Sequence, residues 1–379
     1  MNNFNLTPGT VNIRFGVGSI KDLPEILFNI GKKRPYIVTD SGVAASGILN
    51  IVKKCLETGG FPAQIFEGVK PNPTVSLIDD GAKLAFNAGS DCVIAVGGGS
   101  SLDSSKGIAL VAANPNFSSA QFNYTINPEN PALPIIAIPT TSGTGSETNN
   151  WGVIDDPVNH KKIYIGDTST TPVAAILDPE LTTGLPPRST ASTGIDALTH
   201  AIESLTSKGR TPVSAAYAHE AIKLIAKSLP TAVSDGKNLD ARGDMLMGAH
   251  LAGLALTLSG LGLVHGIAHS VSAHVGAAHG EALAAVLAEV MTFNRTVSEE
   301  IYESIAVDLN LKADSNLAIS AVKDLADEIN IRFALSNFGV TSQMCESIAE
   351  TALADSVTSN NPIAPKKTEI MEILKARIN

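Results

Sequence analysis

Two textures along the chain predict an α/β domain with a mainly parallel sheet over residues 1–185 and an all-α domain over 186–379. In the first part, short apolar runs alternate with stretches of helical spacing, the pattern of βαβ units. Beyond Pro179, Pro186 and Pro187, long Ala/Leu/Ile-rich stretches take over and strand-like runs become rare. A chain of 379 residues is long enough to bury two cores.

The elements follow in order. RPYIVTD is an apolar run ending at Asp40, followed by helical spacing through SGVAASGILNIVKKCLETGG. PAQIFEGV reads as a strand and SLIDDGAKLAFNAGS as a helix. DCVIAVGGGS is a buried strand running into glycines, with a helix expected from about Ser101–Asp103. ALPIIAIPTTSGTGSE repeats the pattern of an apolar run entering a loop of small residues. In the second part, AYAHEAIKLIAKSLPTAV, DMLMGAHLAGLALTLSG, GEALAAVLAEVMTFN and NLAISAVKDLADEINI have helical spacing and length.

Composition excludes several classes of function. The balance of 27 basic against 37 acidic residues gives a net charge of −10, and no basic run offsets it, which argues against nucleic-acid binding. No apolar run approaches membrane-spanning length, and the start MNNFNLTPGT lacks a signal pattern. Cys55, Cys92 and Cys345 are too few and too scattered for a disulfide framework. A cytoplasmic protein without nucleic-acid or membrane partners is the expectation.

Two loops at strand ends can take a phosphate-bearing ligand. Gly97, Gly98 and Gly99 let backbone approach a diphosphate, and the helix that follows offers free N–H donors. Neither a G-x-G-x-x-G fingerprint nor a P-loop is present, so a tight structural turn is the competing reading. The second loop, Thr140 to Glu147, supplies hydroxyl and backbone donors in the same position after a strand. Two such loops on one sheet favour a nucleotide. Asp40 can accept from adenosine-ribose hydroxyls or serve as a helix N-cap, and the residues alone leave both open.

The histidines carry the strongest chemical signal. His265, His269, His274 and His279 fall within fifteen residues, and GIDALTHAIE sets Asp196 and His200 four apart on one helical face. A carboxylate with imidazoles from separate helices is divalent transition-metal chemistry. Asp196 and His200 alone would be an ordinary buried pair. Glycine- and alanine-rich sequence between His265 and His279 allows a helix–turn–helix return that adds both rings. His269, one turn after His265, would sit beside the metal where it could relay a proton. His160, His219, His250 and His274 read as structural or surface residues.

Together these segments resemble the iron-containing (group III) alcohol dehydrogenase family, nearly end to end. The resemblance is carried by FGVGS, VKPNPT, GGGSSLDSSK, IPTTSGTGSE, LDPELTTGLPP, TGIDALTHAIE, GLGLVHGIAH, AHGEALAAVL and a reduced ALADSVTSNNP. It implies a dinucleotide-binding first domain, a helical metal-binding second domain with a dehydroquinate synthase-like fold, and a homodimer. It implies metal ligands at Asp196, His200, His265 and His279, and a proton-relay residue at His269. Cofactor contacts fall at Asp40, Gly97, Gly98, Gly99, Ser100, Asp103, Thr140, Thr141, Thr144, Lys162 and Leu181, with Asp40 favouring NAD over NADP. The implied metal is Fe(II), with Zn(II) the alternative. The implied reaction moves hydride between nicotinamide and a small primary alcohol or aldehyde at the metal.

Departures from the family pattern bear on the substrate. Ala278-His279-Gly280 and Ala282-Leu283-Ala284 replace commoner segments, Leu256 and Leu258 stand where Phe and Asn are frequent, and His274 replaces an aromatic residue. Trp151 follows the second loop and reads equally as core or as pocket wall. A more apolar pocket would favour simple primary alcohols over polyols. A glycerol-dehydrogenase-like zinc enzyme is the near alternative. A dehydroquinate-synthase-like lyase is the far one, disfavoured because residues 265–279 contain no Lys or Arg.

Overall fold

The computed structural model describes residues 11–122, 128–159 and 161–378. The readings made for MNNFNLTPGT and His160 lie outside them. The chain forms two compact units, one containing the described residues up to Thr141 with Gly145–Gly184, the other Ser142–Thr144 with Leu185 onward.

The first unit is doubly wound. Its strands are β1 (Asn12–Phe15), β2 (Pro35–Asp40), β3 (Gln64–Val69), β4 (Cys92–Gly97), β5 (Ile135–Pro139) and β8 (Ala174–Leu177), all parallel in the order β1-β8-β5-β4-β2-β3. Its helices are α1 (Leu23–Asn29), α2 (Ser41–Ala45), α3 (Ile48–Thr58), α4 (Val75–Asn87) and α5 (Gly99–Ala113). Alternation along the strands decides which face each side chain serves. Val93 and Ala95 of β4 pack with α4 and α5 residues such as Ile78, Ala82 and Ile108. Ile94 and Val96 pack on the other face with Leu23 and Leu27 of α1 and Leu49, Val52 and Leu56 of α3. Strands buried on both faces explain why β2, β4 and β5 read as unbroken apolar runs.

Several local expectations are corrected. The stretch after Asp40 is two helices, α2 and α3, because Ser46-Gly47 interrupts it. The helix after the glycines starts at Gly99 rather than near Ser101–Asp103, so Gly99 and Ser100 lie in its first turn. The short strands β1 and β8 went unread, as did the antiparallel hairpin of β6 (Gly152–Asp156) and β7 (Lys161–Ile165). Four- and five-residue strands offer too few alternations to stand out.

The second unit is helical: α6 (Pro187–Thr206), α7 (Pro212–Ser234), α8 (Leu239–Ser259), α9 (Leu263–Val275), α10 (His279–Asp308), α11 (Ser315–Glu328), α12 (Cys345–Ala354) and α13 (Lys367–Ala376). Helix α6 is its axis. Every residue from Gly194 to Thr206 is buried, which a helix achieves only when neighbours surround it. Helix α9 turns away from α8 by 102° across Gly260–Gly262. Among the described residues, no single helix is long and apolar enough to cross a membrane.

Candidate metal centre and nucleotide loops

Four predicted ligands meet in the helical unit. Asp196 and His200 are one turn apart on α6, and Asp196 Oδ1 lies 3.2 Å from His200 Nε2. Helix α9 brings His265 Nε2 to 3.5 Å from the same oxygen, and the first residue of α10 brings His279 Nε2 to 3.6 Å. Helix α9 ends at Gly276, and α10 starts three residues later, the return that the small-residue sequence allows. Gly280 makes the approach possible: a Cβ there would stand 2.1 Å from the Ser192 carbonyl oxygen of α6.

The spacing is that of ligands around a common ion. Bonds of roughly 2.1 Å in tetrahedral array separate neighbouring ligand atoms by about 3.4 Å. The separations of 3.2, 3.5 and 3.6 Å fall around that value, and the two longer ones exceed a good N–H···O hydrogen bond. Asp196, His265 and His279 offer ligand atoms all within 4.8 Å of one another. Asp196 Oδ1 and His265 Nε2 are buried with no hydrogen-bond partner, a cost that a cation removes. The residues present therefore fit a divalent metal.

The charges agree with that fit. Burial pushes the Asp196 carboxyl up, but the imidazoles of His200, His265 and His279 outweigh it and hold the group below its ordinary range. Burial dominates at His200 and lowers it to about 4, leaving a neutral ring with a lone pair. At His265 burial is outweighed by Glu203 and Asp196, which raise it to about 9 in the metal-free protein. Burial also lowers His279, to about 3, so two of the three rings stay neutral and present lone pairs beside an ionised carboxylate.

His269 stands beside the ligands without joining them. Its ring stacks on His279 at 5.3 Å and meets His265 edge-on at 5.8 Å. Its Nδ1 is held 2.7 Å from Asp355 Oδ2, and Asp355 is kept below the ordinary carboxylate range because, although burial raises it, His269 lowers it further. His274 turns back to the Ser270 carbonyl at 2.8 Å, and His219 pairs with Asp308. The sequence reading missed Asp355 and Glu203, the carboxylates behind His269 and His265. Both stood inside segments quoted for the resemblance, but carboxylates distant in sequence announce no partner.

The loops of the α/β unit lie at neighbouring strand tips. The chain leaves β2 toward β3 on one side and β4 toward β5 on the other, so the sheet reverses between Asp40 and Gly97. Such a reversal is where doubly wound sheets bind ligands. Asp40 serves as an N-cap: its Oδ1 accepts from Gly42 N and Val43 N at 2.9 and 3.0 Å, and its Oδ2 accepts from Ser101 Oγ at 3.0 Å. Gly98 and Gly99 are half-buried at the start of α5, with Gly98 beside the Thr141 side chain.

The remaining predicted contacts are less uniform. Asp103 is engaged within its own unit, accepting from Ser146 Oγ at 2.6 Å and Val153 N at 3.0 Å. Lys162 is exposed on the β6–β7 hairpin and pairs with Asp155 at 2.9 Å. Leu181 is buried in the core beneath the sheet. Thr140 is buried and Thr141 half-buried, whereas Thr144 groups by its contacts with the helical unit. Under the second loop, fully buried Lys106 donates to Ser146 Oγ, Asn149 Oδ1 and the Trp151 carbonyl at 2.7–2.8 Å.

Comparison with known proteins decides the family. The profile described as "Iron-containing alcohol dehydrogenase" matches residues 10–179, and that of the "Fe-containing alcohol dehydrogenase family, C-terminal" matches residues 190–378. The chain belongs to the iron-containing alcohol dehydrogenase family. It is 35% identical to the NAD-dependent methanol dehydrogenase of Bacillus methanolicus, over 99% of each chain. A crystal structure of 1,3-propanediol oxidoreductase superposes with a TM-score of 0.91 at 34% identity, covering 97% of each chain. The sulfoacetaldehyde reductase of Bifidobacterium kashiwanohense, solved in complex with NAD+, superposes with a TM-score of 0.92 at 30% identity, over 100% of this chain and 99% of that one. As a family member the protein is an alcohol dehydrogenase with an α/β first half and a helical second half.

Proposed function

We propose that the protein interconverts a small primary alcohol and its aldehyde using NAD(H) and a divalent metal, with Fe(II) the native ion and Zn(II) the alternative. Asp196, His200, His265 and His279 would hold the metal. The observation carrying this reading is the convergence of three imidazole Nε2 atoms on Asp196 Oδ1 at 3.2–3.6 Å. When bound, the metal supplies Lewis acidity toward the substrate oxygen and NAD supplies the hydride acceptor.

The chain's own residues do the rest. The single carboxylate of Asp196 leaves a divalent site net positive, which suits a developing alkoxide. His269, oriented through Nδ1 by Asp355, has Nε2 available to take the hydroxyl proton and to return it in reduction. Around the cofactor, Gly97, Gly98, Gly99 and Ser100 present the first turn of α5 to the diphosphate. Asp103 acts through Ser146, holding the second loop with Thr140, Thr141 and Thr144, and Lys162 and Leu181 flank the site. The Asp40 carboxylate repels a 2′-phosphate and so favours NAD, in keeping with the NAD named for two of the relatives.

Three unpaired thiols suit a reducing cytoplasm, and the family resemblance supports a homodimer, to be checked by light scattering. Metal-stripped protein loaded anaerobically with Fe(II), Zn(II) or Mn(II) and assayed for NADH and NADPH oxidation across aldehydes tests the whole reading. Metal-dependent NADH oxidation is expected, and full activity without metal refutes it. Leu256 and Leu258 support a preference for n-alkanols over 1,2- or 1,3-diols, which a strong diol preference in the same assay would contradict.

A further inference from the structure

One buried carboxylate beside the metal ligands has no place in the reaction as proposed. Glu203 lies on α6 three residues after His200 and is only 3% exposed. Among the described residues its one ion pair is with a histidine. Its Oε2 accepts from His265 Nδ1 at 2.6 Å and from Gly262 N at 3.0 Å, while its Oε1 accepts from Val264 N at 2.6 Å. The carboxylate therefore caps the start of α9 and grips the imidazole in that helix's first turn. It fits because Gly262 has no side chain: a Cβ there would lie 3.0 Å from Oε1.

We propose that Glu203 is a positioning residue that holds His265 as the Nδ1–H tautomer and aims its Nε2 lone pair at the ion shared with Asp196, thereby setting metal affinity. This rests on the reading of Asp196, His200, His265 and His279 as the ligand set. An imidazole presents one ligating nitrogen only if the other keeps its proton, so the acceptor behind the ring selects the tautomer. The partner atoms leave Glu203 little alternative. Two backbone N–H groups, Gly262 at Oε2 and Val264 at Oε1, require both oxygens to accept, which a carboxylate satisfies and a carboxamide does not, so the ring nitrogen facing Oε2 must be the donor.

Glu203→Gln changes the fewest atoms. With its amide nitrogen toward His265, the ring must turn its lone pair to Nδ1 and protonate Nε2, which removes it as a ligand. With the nitrogen toward Val264, a helix donor goes unpaired. Either arrangement removes the negative charge behind the imidazole, which lowers its basicity toward a metal.

Metal-stripped wild type and Glu203→Gln are titrated with Zn(II) against a chromophoric chelator, and their Co(II) forms are compared by visible absorption. The variant is expected to bind Zn(II) about 10- to 100-fold more weakly than wild type, with displaced Co(II) bands at saturating metal. Equal affinity and superimposable spectra in the two proteins overturn the role of Glu203 and leave the metal site standing. A wild type that takes up neither ion overturns the ligand assignment on which the proposal rests. Should the variant not fold, nitrogen NMR of histidine-labelled, zinc-loaded wild type decides: a proton on His265 Nδ1 supports the proposal, and its absence overturns it.

Discussion

In the helical unit the ligands we propose are side chains that the fold leaves partly unsatisfied, whereas in the α/β unit the cofactor contacts we propose fall on backbone and on polar groups already engaged. Asp196 Oδ1 and His265 Nε2 are buried without a hydrogen-bond partner. Asp40, Ser101 and Asp103, in contrast, each already have hydrogen-bond partners within their own unit. A strong, localised ligand such as a metal ion can repay several kilocalories of unsatisfied burial, so its site can be left open inside a core. A dinucleotide spreads its contacts widely, so its loops must hold their shape alone. The two regions should consequently respond to substitution in different ways.

The largest effect is expected from Asp196→Ala or His279→Ala. Either should abolish metal retention and lower turnover by roughly a thousandfold or more, the scale of several kcal/mol of transition-state stabilisation. Circular dichroism should be nearly unchanged, because Asp196 Oδ1 has no hydrogen-bond partner and the His279 side chain is 38% exposed. Metal retained at the wild-type level, measured by plasma emission after dialysis, would erase the contrast between the regions. His269→Gln should spare metal content yet lower kcat by about 100-fold, with Asp355→Asn giving a smaller loss in the same direction. A metal content that falls together with kcat would make His269 a ligand instead.

Lys106 tests the α/β unit through stability. Burial lowers its ammonium to about 8, against the favourable charges of Asp103 and Glu147. Its folded value lies below its unfolded value near 10.5, so the unfolded chain holds more protons between those pH values. The cost of burying the charge is fully present below pH 8 and is relieved as pH rises toward 10.5. The melting temperature of wild type relative to Lys106→Met should therefore rise from pH 7.5 to 10, by the equivalent of up to about 3 kcal/mol. A difference that stays flat, or falls, would show that Lys106 remains charged throughout.

The smallest effect sharpens the role of Asp40. Asp40→Asn keeps an N-cap acceptor for Gly42 and Val43 while removing the charge, so stability should change little. The preference for NADH over NADPH, as a ratio of kcat/KM values, should relax by about tenfold, the equivalent of roughly 1.4 kcal/mol of repulsion. An unchanged ratio would leave Asp40 as a cap alone.

The sequence was most readable where pattern and packing obey one period. Residues 35–38, 92–97 and 135–139 are apolar on both faces because helices cover both faces, and the long helices after Pro187 repeat at helical spacing. The pairing of Asp196 with His200 followed from four-residue spacing on a helix, and the return from His265 to His279 from small residues that permit a turn. Neighbours in sequence, or one turn apart, needed no tertiary information. Tertiary structure alone decided that Lys106 is buried under the second loop, and that Glu203 and Asp355 stand behind His265 and His269. The Lys106–Ser146, Glu203–His265 and Asp355–His269 contacts join residues 40 to 86 positions apart, and local periodicity fixes only the face on which a side chain leaves its own helix or strand. What waits opposite that face is set by how the elements pack.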